Sequence, residues 1–398
     1  MRAVALIDGE HYAPVVRDAL RALPYEWVGA ILVGGTEKLR GGADYGVPLV
    51  EGFGDAEAVI DLSDEPVLGP DERFRWISRA LAAGLEYIGA DFRFAPPTLL
   101  PFELPSIAVI GTGKRVGKTA VTGHLARLLS REQNVVVVAM GRGGPAQPEV
   151  VATPPTVDEL VALSRSGRHA ASDHLETAAL CGVPTIGCRR AGGGLAGAVF
   201  VSNVAEGARL AAARAPDVVV FDGSGAAIPP IAVDRRVLVL GPQHRLDAYL
   251  NTYRRLISDL VIAVGCEWEG ALHAELRLRP AGPLHGRVAV FTAGPGDVSH
   301  LEADLVHVSS NLADRGSLQA DLETLDADTY LAELKGAAID VVAEHALANG
   351  KRFVLAANDV VGEGLDEALL SLAPSRAALF DGGDEGAQAP ALPGPERQ

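Results

Sequence analysis

The nine residues Gly111-Thr-Gly-Lys-Arg-Val-Gly-Lys-Thr119, set between an apolar run ending at Ile110 and a helical pattern reaching Leu129, have the composition of a phosphate cradle. Glycines let consecutive backbone N–H groups from Gly113 to Lys118 turn toward one anion, and a helix beginning near Thr119 points its positive end at the same place. In that arrangement Gly111, Thr112, Gly113, Lys114, Arg115, Val116 and Gly117 wrap the phosphate tail of a nucleotide. Lys118 then reaches the β and γ phosphates, and the Thr119 hydroxyl ligates Mg²⁺. Val121, Leu125, Leu128 and Leu129 fall at i, i+4, i+7 and i+8, a single buried helical face that supports the reading independently.

A magnesium site needs an acid at the end of a neighbouring strand. Val218-Val-Val-Phe221 followed by Asp222-Gly-Ser-Gly225 offers one, although Asp-Gly after a strand is also an ordinary turn. The cradle departs from the common spacing, because its leading glycine is Gly111 and the usual glycine position holds Thr112. In this form it resembles the loop of the dethiobiotin synthetase and cobyric acid synthase branch of P-loop proteins. That branch commonly has a second acid after the strand following the loop. Here Met140-Gly-Arg142 stands there, which leaves the other metal ligands unassigned.

Arg142, flanked by Gly141, Gly143 and Gly144, lies at the carboxyl end of that strand, the edge where ligands sit in open α/β sheets. Its guanidinium can take a phosphate in a fork, whether of the substrate or the nucleotide, or can simply face solvent. Arg165, Arg168, His169, His174, Arg189 and Arg190 follow in an otherwise acidic chain. With Lys114 and Arg115 they would make a cationic pocket for a second, strongly anionic ligand.

Around this chemistry the chain is ordinary. It has 398 residues, 48% hydrophobic with 5% aromatic, 45 Gly and a net charge of −16, enough for two or three domains of soluble α/β type. The negative charge argues against nucleic acid and anionic membranes as partners. No apolar run approaches the roughly 18 residues of a membrane span. The amino terminus meets Asp8 and Glu10 too early for a signal peptide, so a cytoplasmic location is expected. Cys181, Cys188 and Cys266 form no zinc spacing and fit a reducing compartment.

Elements that must position the site follow from periodicity. Residues 1–100 read as a smaller Rossmann-like α/β unit, with strands at 4–7, 30–33, 58–62 and 86–88 and helices at 14–23 and 71–83. Asp8-Gly-Glu-His11 closes its first strand, as a grip on a ligand or as scaffold. Four prolines between Ala95 and Pro105 mark a boundary. Residues 106–382 read as a P-loop NTPase-like parallel sheet with helices on both faces. Helices are expected at 157–164, 173–181, 246–260 and 330–348 and strands at 134–139, 218–221, 237–240, 288–291, 305–308 and 352–355. The part beyond about 262 is either more of the same sheet or an extra lobe. Residues 383–398, rich in Gly, Pro and Ala, are expected to be disordered.

Taken together, Leu6-Ile-Asp-Gly-Glu-His-Tyr-Ala-Pro-Val-Val-Arg-Asp18, Gly34-Gly-Thr-Glu-Lys-Leu39, the cradle, Met140-Gly-Arg-Gly-Gly-Pro145, Ser172-Asp-His-Leu-Glu-Thr-Ala178 and Asp222-Gly-Ser-Gly225 resemble the cyclic 2,3-diphosphoglycerate synthetases. The resemblance implies use of ATP and Mg²⁺ to close 2,3-diphosphoglycerate into its cyclic pyrophosphate, releasing ADP and phosphate. It also implies a cytoplasmic homodimer that often needs K⁺. Lys118, Arg142 and Asp222 would then serve catalysis, Thr119 and Asp222 the metal, and Arg142, Arg165, Arg168, His174, Arg189 and Arg190 the substrate. Two other readings stay open: a carboxylate-activating ligase of the dethiobiotin branch, and a non-enzymatic partner protein switched by ATP.

Overall fold

The computed structural model describes residues 1–35, 44–294 and 296–373, so the tail over 383–398 lies outside the described residues. In the amino-terminal unit Arg2–Ile7 pairs in parallel with Glu26–Leu32 on one side and Ala58–Asp61 on the other. Glu86–Ile88 continues the sheet, and Arg93–Phe94 turns back antiparallel. Helices Ala13–Ala22 and Pro70–Ala82 each carry a proline in the first turn, Pro14 and Pro70, whose fixed φ suits that place. Asp8, fully buried, accepts hydrogen bonds from the backbone N–H groups of Glu10, His11 and Asp64 at 3.0, 3.1 and 2.8 Å. Burial alone would raise its carboxyl, and these donors with His11 lower it overall. The geometry therefore gives Asp8 a scaffolding task, holding two loops together.

In the larger sheet Val218–Asp222 lies between Val135–Gly141 and Ser106–Gly111. Thr185–Ala191 lies beyond the first, and Arg235–Leu240 and Leu260–Val264 beyond the second, all parallel. Alternate residues enter two cores: Ile110, Val138, Phe221 and Leu238 on one face, Val109, Val137, Val220 and Val239 on the other. Burial on both faces is why these strands read as unbroken apolar runs. Helix Lys118–Leu129 covers the second face with Val121, Leu125, Leu128 and Leu129. Each such side chain contributes about 1.5–3 kcal/mol on leaving water. Helix Val204–Ala212 and the amino-terminal unit cover the opposite face, where Phe74 meets Tyr249 edge-on at 5.8 Å.

Leu272–Pro280 is the junction of the molecule. It runs parallel to Leu260–Val264 and antiparallel to Arg352–Val361. Thr329–Glu333, Arg287–Phe291 and Asp304–Ser309 follow parallel to Arg352–Val361, so a second parallel set continues the sheet with its direction reversed. Around Phe291, Tyr330 and Ile339 this set shares a core with Leu160, Val161 and Leu175 of the P-loop part.

Two expected helices are different in the structure. Over 246–260 only Asn251–Leu256 is helical, because Tyr249 adopts a left-handed φ of 51° that ends a helix on its amino side, and Leu260 already opens a strand. Leu246, Leu250 and Tyr253 are buried all the same, so the apolar spacing reported burial rather than helix. Over 330–348 the first part is the strand Thr329–Glu333. It lies between two neighbours and is apolar on both faces, and helix follows only at Ala338–Ala343, of π type, and Glu344–Ala348.

Candidate active site

Ser106–Gly111 ends in the cradle, and Gly117, at φ 86°, makes the left-handed turn into helix Lys118–Leu129 that a side chain would oppose. Residues 113–119 line a cavity of about 670 Å³. Asp222 ends the adjacent strand, fully buried, with its Oδ1 bound by the Lys118 ammonium and by the Thr122 hydroxyl at 2.7 Å. Burial raises the Asp222 carboxyl above its ordinary range, and the attraction of Lys118 offsets this only in part. Its Oδ2 is buried with no hydrogen-bond partner among the described residues. An orphaned buried carboxylate oxygen fits a divalent cation, and Thr119 lines the cavity together with Lys118, the ion-pair partner of Asp222.

Gly141, Arg142, Gly143 and Gly144 form the next part of the wall. A side chain at Gly144 would collide with the Cys188 carbonyl, which is why the turn carries glycine there. A β-carbon at Gly141 would stand 3.7 Å from Asp173 Oδ2. Asp173 is thus the carboxylate that fills the place where the strand after the cradle lacks an acid of its own. It comes from the start of helix Asp173–Cys181 instead, a position that strand-end reasoning could not reach.

Lys114, Arg115 and Arg142 line the cavity and have no ion-pair partner among the described residues. Arg190 stands behind them: its guanidinium donates to the Gly192 and Ser224 carbonyls at 2.8 Å each, bracing the turn after Asp222. Burial, then the proximity of Arg142, depresses it.

Four of the expected substrate ligands are placed differently. Arg165 is an exposed side chain that forks onto Glu344 at 2.7 and 2.6 Å, and Arg168 pairs with Glu149; neither lines the cavity. Arg189 is exposed and also lies off the cavity wall. His174 does line it, but burial pushes its imidazole down to about 4 and its Nδ1 faces the Ser172 hydroxyl at 3.0 Å. It is therefore neutral near pH 7 and brings no positive charge. Because Arg165 and Arg168 bond to surface acids, Arg165→Ala and Arg168→Ala should leave the KM of every substrate unchanged; steady-state kinetics checks this.

The far wall comes from the second parallel set: Thr292, Glu333, Lys335 and Asn358 face the cradle across the cavity. The sequence does not reveal Glu333 and Lys335 as cavity residues, because the helical spacing expected over 330–348 covers what is a strand end and a turn.

A parallel sheet, a glycine-rich turn into a helix, a buried lysine–aspartate pair and an anion-sized basic cavity define a P-loop nucleotide-binding enzyme. Family models agree in detail: the P-loop domain of cyclic 2,3-diphosphoglycerate synthetase matches residues 106–277, its carboxy-terminal domain 288–359 and its amino-terminal domain 2–55 and 48–95. The chain belongs to the cyclic 2,3-diphosphoglycerate synthetase family. Proteins of that name from Rubrobacter xylanophilus, Pyrococcus abyssi and Methanothermobacter thermautotrophicus are 49%, 38% and 36% identical to it. The alignments cover 94%, 93% and 95% of this chain, and 97% of each relative. Among solved structures, the LpxK structure from Aquifex aeolicus in complex with ATP aligns at TM-score 0.43 and 15% identity, over 70% of this chain and 91% of its own. That likeness is too slight to bear on the site. Among the described residues no helix is long and apolar enough to cross a membrane.

Proposed function

We propose that the protein uses ATP to close 2,3-diphosphoglycerate into its cyclic pyrophosphate, releasing ADP and inorganic phosphate. The observation that carries this is the cluster of Lys114, Arg115 and Arg142 on one cavity wall, unpaired among the described residues, in a chain of net charge −16. Such a protein gathers positive charge in one place only at a cost, and a polyanion repays it.

In the proposed sequence one phosphate oxygen of the substrate attacks the γ phosphorus of ATP, and the bond to the β–γ bridging oxygen breaks to release ADP. The second phosphate then attacks the first, closing the P–O–P ring and expelling the transferred group as inorganic phosphate. Lys118 and the amides of residues 113–118 draw off charge that develops on the transferred group. To do so Lys118 leaves Asp222 for the phosphates, and Asp222 with Thr119 would hold magnesium, which would neutralise phosphate charge. Arg142 holds the two substrate phosphates near each other, and their effective molarity, rather than a dedicated base, drives ring closure. Asp173 supplies the second acid beside this centre. A cytoplasmic homodimer and a requirement for potassium belong to the same proposal.

The test is an ADP-release assay on the purified protein with ATP and Mg²⁺. Release should depend on 2,3-diphosphoglycerate. Release that depends instead on a carboxylic acid would make the protein a carboxylate-activating ligase, and slow turnover indifferent to small molecules would make it a nucleotide-switched partner protein.

A further inference from the structure

Lys335 sits in the turn after strand Thr329–Glu333, on the wall opposite the cradle, and among the described residues of that wall it is the only cation. Its ammonium lies 3.5 Å from Glu333 Oε1 and 3.6 Å from Glu176 Oε1, and 35% of its side chain is exposed. Both separations exceed the roughly 2.7–2.9 Å of a tight charge-assisted hydrogen bond. The amine is therefore steered by two carboxylates without being clamped by either.

The two acids differ in what they need from it. Glu333 has both oxygens occupied, Oε2 by the Ala293 N–H at 2.6 Å and Oε1 by the Asn358 amide at 2.5 Å. Glu176 comes from helix Asp173–Cys181 on the cradle side and is buried. Burial pushes its carboxyl up to about 7 against the pull of Lys335, so near neutrality it can take a proton when the lysine turns away. If Lys335 moves to an anion, Glu176 can take up a proton and Glu333 keeps a hydrogen bond on each oxygen. Burial depresses the Lys335 ammonium while Glu176 and Glu333 more than restore it, so it arrives charged.

Resting on the proposed cyclase reading, we propose that Lys335 binds the substrate phosphate remote from the cradle, so that the bisphosphorylated acid spans both walls and both parallel sets of the sheet are needed to hold it. Glu176 and Glu333 position the amine until the substrate arrives. A bisphosphate held beside the ATP phosphates at one end by Arg142, and anchored at the other by Lys335, has its two phosphorus centres fixed at a set separation, the condition ring closure requires.

The experiment uses the full chain. Wild type is first shown to make the cyclic product; if it makes none, the reading underneath falls and this one with it. Lys335→Gln should then raise the KM for 2,3-diphosphoglycerate on the order of 30-fold or more, with the KM for ATP and calorimetric ATP binding unchanged. Lys335→Arg should recover most of the loss. Glu176→Gln removes a competitor for the amine and should lower the KM for 2,3-diphosphoglycerate, an opposite effect that a merely structural role would not give. A folded Lys335→Gln protein with wild-type KM for 2,3-diphosphoglycerate, or one whose two KM values rise together, overturns the assignment. If Lys335→Gln does not fold, Glu176→Gln decides: unchanged or weaker substrate binding overturns it.

Discussion

Lys118→Ala is expected to lower turnover by on the order of 10³-fold, with circular dichroism and thermal unfolding still those of a folded protein. The lysine is buried against Asp222, so the variant removes a charge from the transition state and strands a carboxylate in the interior at once. The second effect is tolerable because burial already holds the Asp222 carboxyl above its ordinary range. With Lys118 gone it takes a proton instead of remaining charged. A variant that is folded and retains wild-type turnover would remove Lys118 from the chemistry.

Asp222→Asn should have the second-largest effect. It keeps the shape and the hydrogen bond from Thr122 while removing the negative charge offered to the cation, so turnover should fall on the order of 10²-fold and half-saturation by Mg²⁺ should move to higher concentration. Its stability has a definite sign with pH. In wild type the folded-state carboxyl lies above its ordinary value of 3.8, so its contribution to folding is fully present below that value and is lost as pH rises through the folded value. Asn does not titrate. The melting-temperature difference, variant minus wild type, should therefore shift in the variant's favour between about pH 4 and 8. A difference that is flat, or that shifts the other way, would mean that Lys118 rather than burial dominates the carboxylate.

What was legible in the chain follows from which signals are local. The cradle, its strand and its helix are contiguous, and the turn glycines, the lysine and the buried face at Val121, Leu125, Leu128 and Leu129 all speak for one local structure. Asp222 was legible for the same reason, as an acid directly after four buried residues. The cationic pocket was harder. A sequence gives an arginine's type but not its neighbour, and Arg165 and Arg168 are spent on Glu344 and Glu149 from distant segments. His174 shows the converse failure: burial, invisible in the residue itself, removes its charge.

The second parallel set was misread where period was ambiguous. Tyr330 to Ala332 is a short apolar run that fits a buried strand and a helix equally well, and a helix there leaves Lys335 with no reason to face a site. The junction strand carries a clearer signal. Leu272, Ala274, Leu276 and Leu278 alternate with His273, Glu275, Arg277 and Arg279, the two-residue period of a strand with one buried side. Recognising it would have continued the sheet into the region beyond 262 and placed a second wall opposite the cradle.

Phosphorus NMR of the complete reaction tests the central claim most directly. With wild-type protein, ATP, Mg²⁺ and 2,3-diphosphoglycerate, the two monoester phosphate signals of the substrate should give way to those of a cyclic pyrophosphate, with ADP and inorganic phosphate appearing in step. If ADP accumulates while both monoester signals persist, the cavity between the cradle and Lys335 does not join two phosphates, and the account given for it is wrong.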